Sequence, residues 1–143
     1  MKRAKKKKHE GGFTLLELLV VMSIISVLAA IAITQFPPYR ARGTRGSMVS
    51  DARNVAIALE AYFTEGATYA PADLLTVTGP NAFGAATALP GLRASKGNTV
   101  LIRSVTADYT ISVTNIGANA SGYTGPLLLF GDGSCRWTSG QNC

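Results

Sequence analysis

Beyond its ninth residue the chain has no histidine. That absence removes the commonest general base, so Ser-His-Asp and Cys-His arrangements are excluded, and with them any histidine metal site past the first ten residues. Cysteine is nearly as scarce. Cys135 and Cys143 are the whole supply, too few ligands for a metal centre of their own. No glycine-rich loop carries the lysine that phosphate binding needs. Gly131-Asp132-Gly133-Ser134 opens like a calcium loop but lacks the later acidic ligands. Asp73, Asp108 and Asp132 are scattered through turn-like stretches, where aspartate is ordinarily found. The expectation is a chain that is not an enzyme and takes no cofactor or metal.

Charge is also absent where the chain is most apolar. From Leu15 to Phe36 the run is broken only by Glu17, Ser23, Ser26, Thr34 and Gln35. Phe13 to Ile33 would span about 30 Å as a helix, the thickness of a bilayer's hydrocarbon core. Leu, Met and Ala favour helix, and Ser23 and Ser26 can bond back to the preceding turn, which makes them tolerable in lipid. Glu17 is the anomaly, because a carboxylate at that depth costs at least about 2.5 kcal/mol. The run contains no Lys, Arg or His to meet it. Its partner is therefore expected to be a lipid headgroup, water at the membrane surface, or a group on another chain.

Ahead of the run stands Lys2-Arg3-Ala4-Lys5-Lys6-Lys7-Lys8-His9-Glu10. A nucleic-acid or lipid patch and a targeting segment are both conceivable for such a tract. Its direct junction with an apolar run favours targeting. The positive-inside rule keeps it in the cytoplasm and puts the residues after about Phe36 on the other side. Without residues 1–12, eight basic and seven acidic side chains remain. A near-neutral remainder argues against non-specific nucleic-acid binding. Gly11-Gly12 resists helix by about 1 kcal/mol per residue and so leaves accessible backbone between leader and helix. A rival cleavage signal, Ala30-x-Ala32, lies inside the apolar run.

Gly12-Phe13-Thr14-Leu15-Leu16-Glu17-Leu18-Leu19-Val20-Val21-Met22 resembles the prepilin signature of type IV pilins and type II secretion pseudopilins. The likeness is close from Gly12 to about Arg45 and holds only in layout after that. It implies cleavage after Gly12 by a membrane-bound prepilin peptidase and methylation of the new N-terminus, Phe13. It also implies that Glu17 neutralises the amine of Phe13 on a neighbouring subunit during assembly, with an inner-membrane platform as a further partner. The family often has a proline where this chain has Thr34, and here Pro37-Pro38 follows instead.

The remaining chain reads as a head of about one hundred residues. Pro37 and Pro38 should end or bend the first helix, although a mild bend would leave one long helix from Phe13 to Glu65. Val49, Ala52, Val55, Ala56, Leu59, Tyr62 and Phe63 recur at helical spacing, predicting an amphipathic helix over 47–65, capped by Ser47 or Ser50 and stopped at Gly66. Residues 66–98 form a turn-rich loop, long enough that short helices or a small extra strand are expected within it. Strands are predicted over 99–105, 109–114 and 127–130, so that the sheet occupies 99–130. With the head outside the cytoplasm, Cys135 and Cys143 are expected to form a disulfide within a closing segment, 131–143. Trp137 is assigned to a sheet edge or a surface contact, and Asn119-Ala120-Ser121 fits a glycosylation pattern weakly.

The expected organisation is thus a removed leader over 1–12, a transmembrane or filament-core helix over 13–36, and an extracytoplasmic head over 37–143. The fold class is α+β, pilin-like, with a long N-terminal helix on an antiparallel sheet of about three to four strands. The resemblance implies a subunit of a helical homo-oligomeric filament, in the inner membrane first and on the cell surface later. Adhesion, twitching motility and DNA uptake are the family's roles, and nucleic acid would be a partner only through the last. The alternatives are a type II secretion pseudopilin and a membrane-anchored binding module with one helix.

Overall fold

The computed structural model describes residues 12–69, 72, 74–84, 89–118 and 123–143. Residues 1–11, Asn119-Ala120-Ser121 and parts of the 66–98 loop lie outside the described residues. The chain divides into two units, residues 1–36 and 37–143, and one helix, α1 (Leu15–Gly66), contributes to both.

In the first unit α1 is apolar on every side. Leu15, Leu16, Leu18, Leu19, Met22, Ile25, Leu28 and Ile33 are all exposed among the described residues. The helix is long and apolar enough to cross a membrane, with a mean hydropathy of 2.7 over its best window. Its hydroxyls are satisfied on the helix itself. Ser23 Oγ donates to the Leu19 carbonyl at 2.7 Å, Ser26 Oγ to Met22 at 2.7 Å and Thr34 Oγ1 to Ile31 at 2.9 Å. The run therefore presents almost no unpaired polarity to lipid.

Pro37 and Pro38 sit inside α1 rather than ending it. The fixed φ of proline is already helical, so what two adjacent prolines cost is two amide donors and the crowding of the preceding turn. The segment over 47–65 is accordingly a continuation of α1, the single long helix that a mild bend would leave. The helix ends as expected at Gly66, but the left-handed residue that closes it is Ala67, at φ 52°, whose N–H bonds the Phe63 carbonyl at 2.7 Å.

In the second unit Met48, Ala52, Val55 and Leu59 are buried at three- and four-residue intervals, the period of one helix face. They pack with the inner face of a sheet in which every pairing is antiparallel. Its order is β1 (Thr76–Thr78), β2 (Thr99–Ser104), β3 (Tyr109–Thr114), β4 (Leu127–Phe130), β5 (Cys135–Trp137). Val100, Ile102, Ile111, Val113, Leu127 and Leu129 point inward at alternate positions and are buried, the burial that pins the register. Five strands stand where three or four are expected, because β1 and β5 are three residues each and too short to show alternation. Trp137 is not a surface contact. It is 2% exposed on the inner face of β5 and meets the Tyr123 ring edge-on at 5.4 Å.

One polar cluster fastens the 89–98 segment to the helix. Asp51 is buried and accepts from Ser95 N–H and Ser95 Oγ, both at 2.8 Å, and from Asn98 Nδ2 at 2.7 Å. Asn98 is wholly buried, and its Oδ1 accepts from Asn115 Nδ2 at 2.6 Å. A carboxylate in a core is tolerated when its oxygens are saturated in this way.

Candidate functional site

The first turn of α1 is built by four residues, Thr14-Leu15-Leu16-Glu17. Thr14 N–H donates to Glu17 Oε2 at 2.8 Å, and Thr14 Oγ1 donates to the same oxygen at 2.9 Å. The Glu17 N–H in turn meets Thr14 Oγ1 at 3.2 Å. This is a reciprocal capping box, in which threonine and a glutamate three residues on satisfy each other's orphan donors. A negative side chain in a first turn also complements the helix dipole.

The expectation that Glu17 has no partner within its own chain is corrected by this geometry. The donors are the neutral N–H and hydroxyl of Thr14 and not a cation. The signal was present in the sequence as threonine, two apolar residues and glutamate ahead of an apolar run. Among the described residues Oε1 takes no hydrogen bond, so one oxygen of the carboxylate is held and the other is left open to an incoming donor.

Gly12 and Phe13 precede the cap and are not helical. Phe13 is 86% exposed, and a Cβ added at Gly12 would meet nothing within 4 Å. The Gly12–Phe13 peptide therefore lies in accessible backbone immediately outside a fixed helix start, the presentation that a peptidase cleft requires. The structure brings Gly12, Phe13 and Glu17 to one end of α1. The other expected pair, Cys135 and Cys143, lies in the second unit, where it forms a disulfide with Cα atoms 5.6 Å apart.

Among the described residues no group of three His, Cys, Asp or Glu side chains is placed to hold a metal. Glu60 accepts from the Tyr69 hydroxyl at 2.9 Å and from the Tyr109 hydroxyl at 3.0 Å. Burial, and then that carboxylate, push both phenols above their ordinary range, away from neutral-pH acid–base work. Asp132 is held below the usual carboxylate range by hydrogen bonding from Ser134, an ordinary turn contact.

Comparison with known proteins falls on the same end of the chain. Residues 7–33 match the prokaryotic N-terminal methylation motif. A fimbrial protein of Pseudomonas aeruginosa is 44% identical over 59 residues, covering 41% of this chain and 38% of that protein. The N-terminal segment is similar to those of type IV fimbrial proteins and pilins. A type IV major fimbrial protein FimA of Dichelobacter nodosus is 40% identical over 60 residues, 42% of this chain and 38% of its own length. The type IV major pilin protein PilA of Myxococcus xanthus (strain DK1622) is 38% identical over 58 residues, 41% of this chain and 26% of its own. The likeness thus spans well under half the length of these pilins. No solved structure matches the chain. The long helix on a small antiparallel sheet has the α+β, pilin-like architecture expected from the sequence.

Proposed function

We propose that this chain is a pilin, a structural subunit of a type IV pilus filament. In this reading prepilin peptidase cleaves after Gly12 and methylates the amine of Phe13. Residues 13–36 hold the subunit in the inner membrane until the assembly platform moves it into a helical homo-oligomer at the cell surface. The apolar segments then form the filament core, and the open oxygen of Glu17 meets the Phe13 amine of the next subunit. The role is mechanical, with nothing asked of a catalytic group. Adhesion, motility and DNA uptake are functions such a filament can serve.

The observation that carries the reading is the pairing of an apolar helix, exposed on all sides, with an accessible Gly12–Phe13 junction and a half-satisfied Glu17 at its mouth. A plain membrane anchor has use for the first feature only. The names of the relatives, fimbrial protein and major pilin, favour a surface filament over a type II secretion pseudopilin.

The test is intact mass and N-terminal sequencing of protein sheared from the cell surface. N-methylated Phe13 as the first residue, with two hydrogens missing from the cysteines, is the expected result. A chain that keeps residues 1–12 and stays in the membrane fraction would return the plain-anchor reading.

A further inference from the structure

Two exposed arginines stand just beyond the apolar run, with no ion pair to either among the described residues. Arg40 and Arg42 are exposed, and among the described residues neither forms an ion pair or a side-chain hydrogen bond. Arg42 lies 5.6 Å over the ring of Tyr39, which is itself 67% exposed. The third arginine of this stretch, Arg45, is of another kind. It is 9% exposed and stacks 4.1 Å over the Tyr123 ring, within the head. No carboxylate lies between Glu17 and Asp51, and Asp51 is buried and saturated by Ser95 and Asn98. Tyr39, Arg40 and Arg42 thus form a small cationic and aromatic surface with no counter-charge near it on the same helix.

We propose that this surface docks on anionic phospholipid headgroups of the extracytoplasmic leaflet while the subunit waits in the membrane. The inference rests on the reading of residues 13–36 as a membrane span with its N-terminus inside. Arg40 and Arg42 come roughly two to three helical turns after Ile33, the depth at which a helix leaves hydrocarbon for headgroups. The guanidinium is planar, permanently charged and forked, which suits it to the two free oxygens of a phosphodiester. A tyrosine at the same level is the usual interfacial companion, with its ring at the headgroup boundary. Positive charge on this side also runs against the topological bias, which the six cations of residues 1–12 override. A role on the outer face gives the pair a reason to be there.

The test uses the full chain reconstituted into phosphatidylcholine bilayers, with spin-labelled phosphatidylglycerol and spin-labelled phosphatidylcholine as probes of the lipid shell. The leader also attracts anionic lipid, so a chain with Lys5, Lys6, Lys7 and Lys8 changed to Gln is measured in parallel. The expected result is a phosphatidylglycerol preference that survives leader neutralisation. Arg40→Gln/Arg42→Gln should lower it by up to about five-fold per arginine at low salt, and Arg40→Lys/Arg42→Lys should largely keep it. Both arginines lie on the helix surface, so the substitutions leave the folded head intact, as near-ultraviolet dichroism would verify. A preference that disappears with the leader lysines and ignores the arginines would overturn the proposal and leave the membrane span standing. Unchanged lipid preference with reduced filament yield in the arginine variant would overturn it in favour of a second copy of this chain as the occupant. Failure of the chain to enter bilayers at all would overturn the span and the docking surface together.

Discussion

At the scale of the residue, the division of labour within Glu17 is the most informative feature. Oε2 is fixed by Thr14 and Oε1 is open, so the carboxylate is aimed before any neighbour arrives. An ionised group withdrawn from water is costly when its partner is missing, which makes a preset carboxylate a check on register. Glu17→Ala should leave cleavage after Gly12 intact and lower filament yield, read by shearing and immunoblot. Undiminished yield would remove the intersubunit pair. The anomaly of Glu17 was legible from composition alone, because a charge in an apolar run needs an explanation. Thr14 shows only as a capping-box pattern, because the donors that answer the carboxylate are neutral and not of opposite charge. A second residue-scale expectation concerns Tyr109. Burial and Glu60 raise its phenol above the ordinary 10.0, so the folded state resists ionisation that the unfolded state accepts. The stability it contributes is therefore complete below pH about 10 and declines as pH rises beyond that value toward the folded pKa. The near-ultraviolet melting temperature of the head should fall in that window, and Tyr109→Phe should flatten the fall while costing about 1 kcal/mol at neutral pH.

At the scale of the element, α1 and the sheet were readable to different degrees for physical reasons. β2, β3 and β4 show alternating apolar residues because one face of each is buried, and their positions follow from the sequence. β1 and β5 did not show themselves, since three residues are too few for a visible alternation: Val77 alone is buried in β1, and Cys135 and Trp137 share the inner face of β5. Trp137 lies at the sheet edge as one expectation had it, but buried and not at the surface, because nothing in a short terminal segment says which way it faces. The continuity of α1 through Pro37 and Pro38 contradicts local propensity, which would stop the helix there. The tie between the helix and the 89–98 segment was also unreadable, as Asp51 and Asn98 are 47 residues apart. Asp51→Ala would strand three donors in or near the core. It should destabilise the head by about 3 kcal/mol and lower Tm by roughly 10 °C or more, measured by thermal dichroism. Asp51→Asn keeps an acceptor and should lose less. Equal losses for the two would show that the hydrogen bonds are not what the site contributes.

At the scale of the whole molecule, the two units bury their apolar residues by opposite means. Residues 37–143 cover theirs with one another, while residues 13–36 leave theirs open to lipid or to other copies. The sequence announced the first unit's membrane length and the Cys135–Cys143 closure, but not the backbone path of the tail. The tail after β5 turns back on it. Arg136 bridges Asn142, the Trp137 N–H donates to the Gln141 carbonyl at 2.7 Å, and the Cys143 N–H reaches the Cys135 carbonyl at 3.4 Å. The Cys135–Cys143 bond closes this return over a sequence separation of 8. On the chain-entropy account, its reduction should cost the head about 2–3 kcal/mol in denaturant midpoint experiments. The larger consequence concerns which kind of polymer the protein can become. An open strand edge is a template for unlimited sheet growth, the route to amyloid. Here the latched tail occupies that template on β5. Cys135→Ser/Cys143→Ser should then bind thioflavin T on standing, where the native chain stays dark.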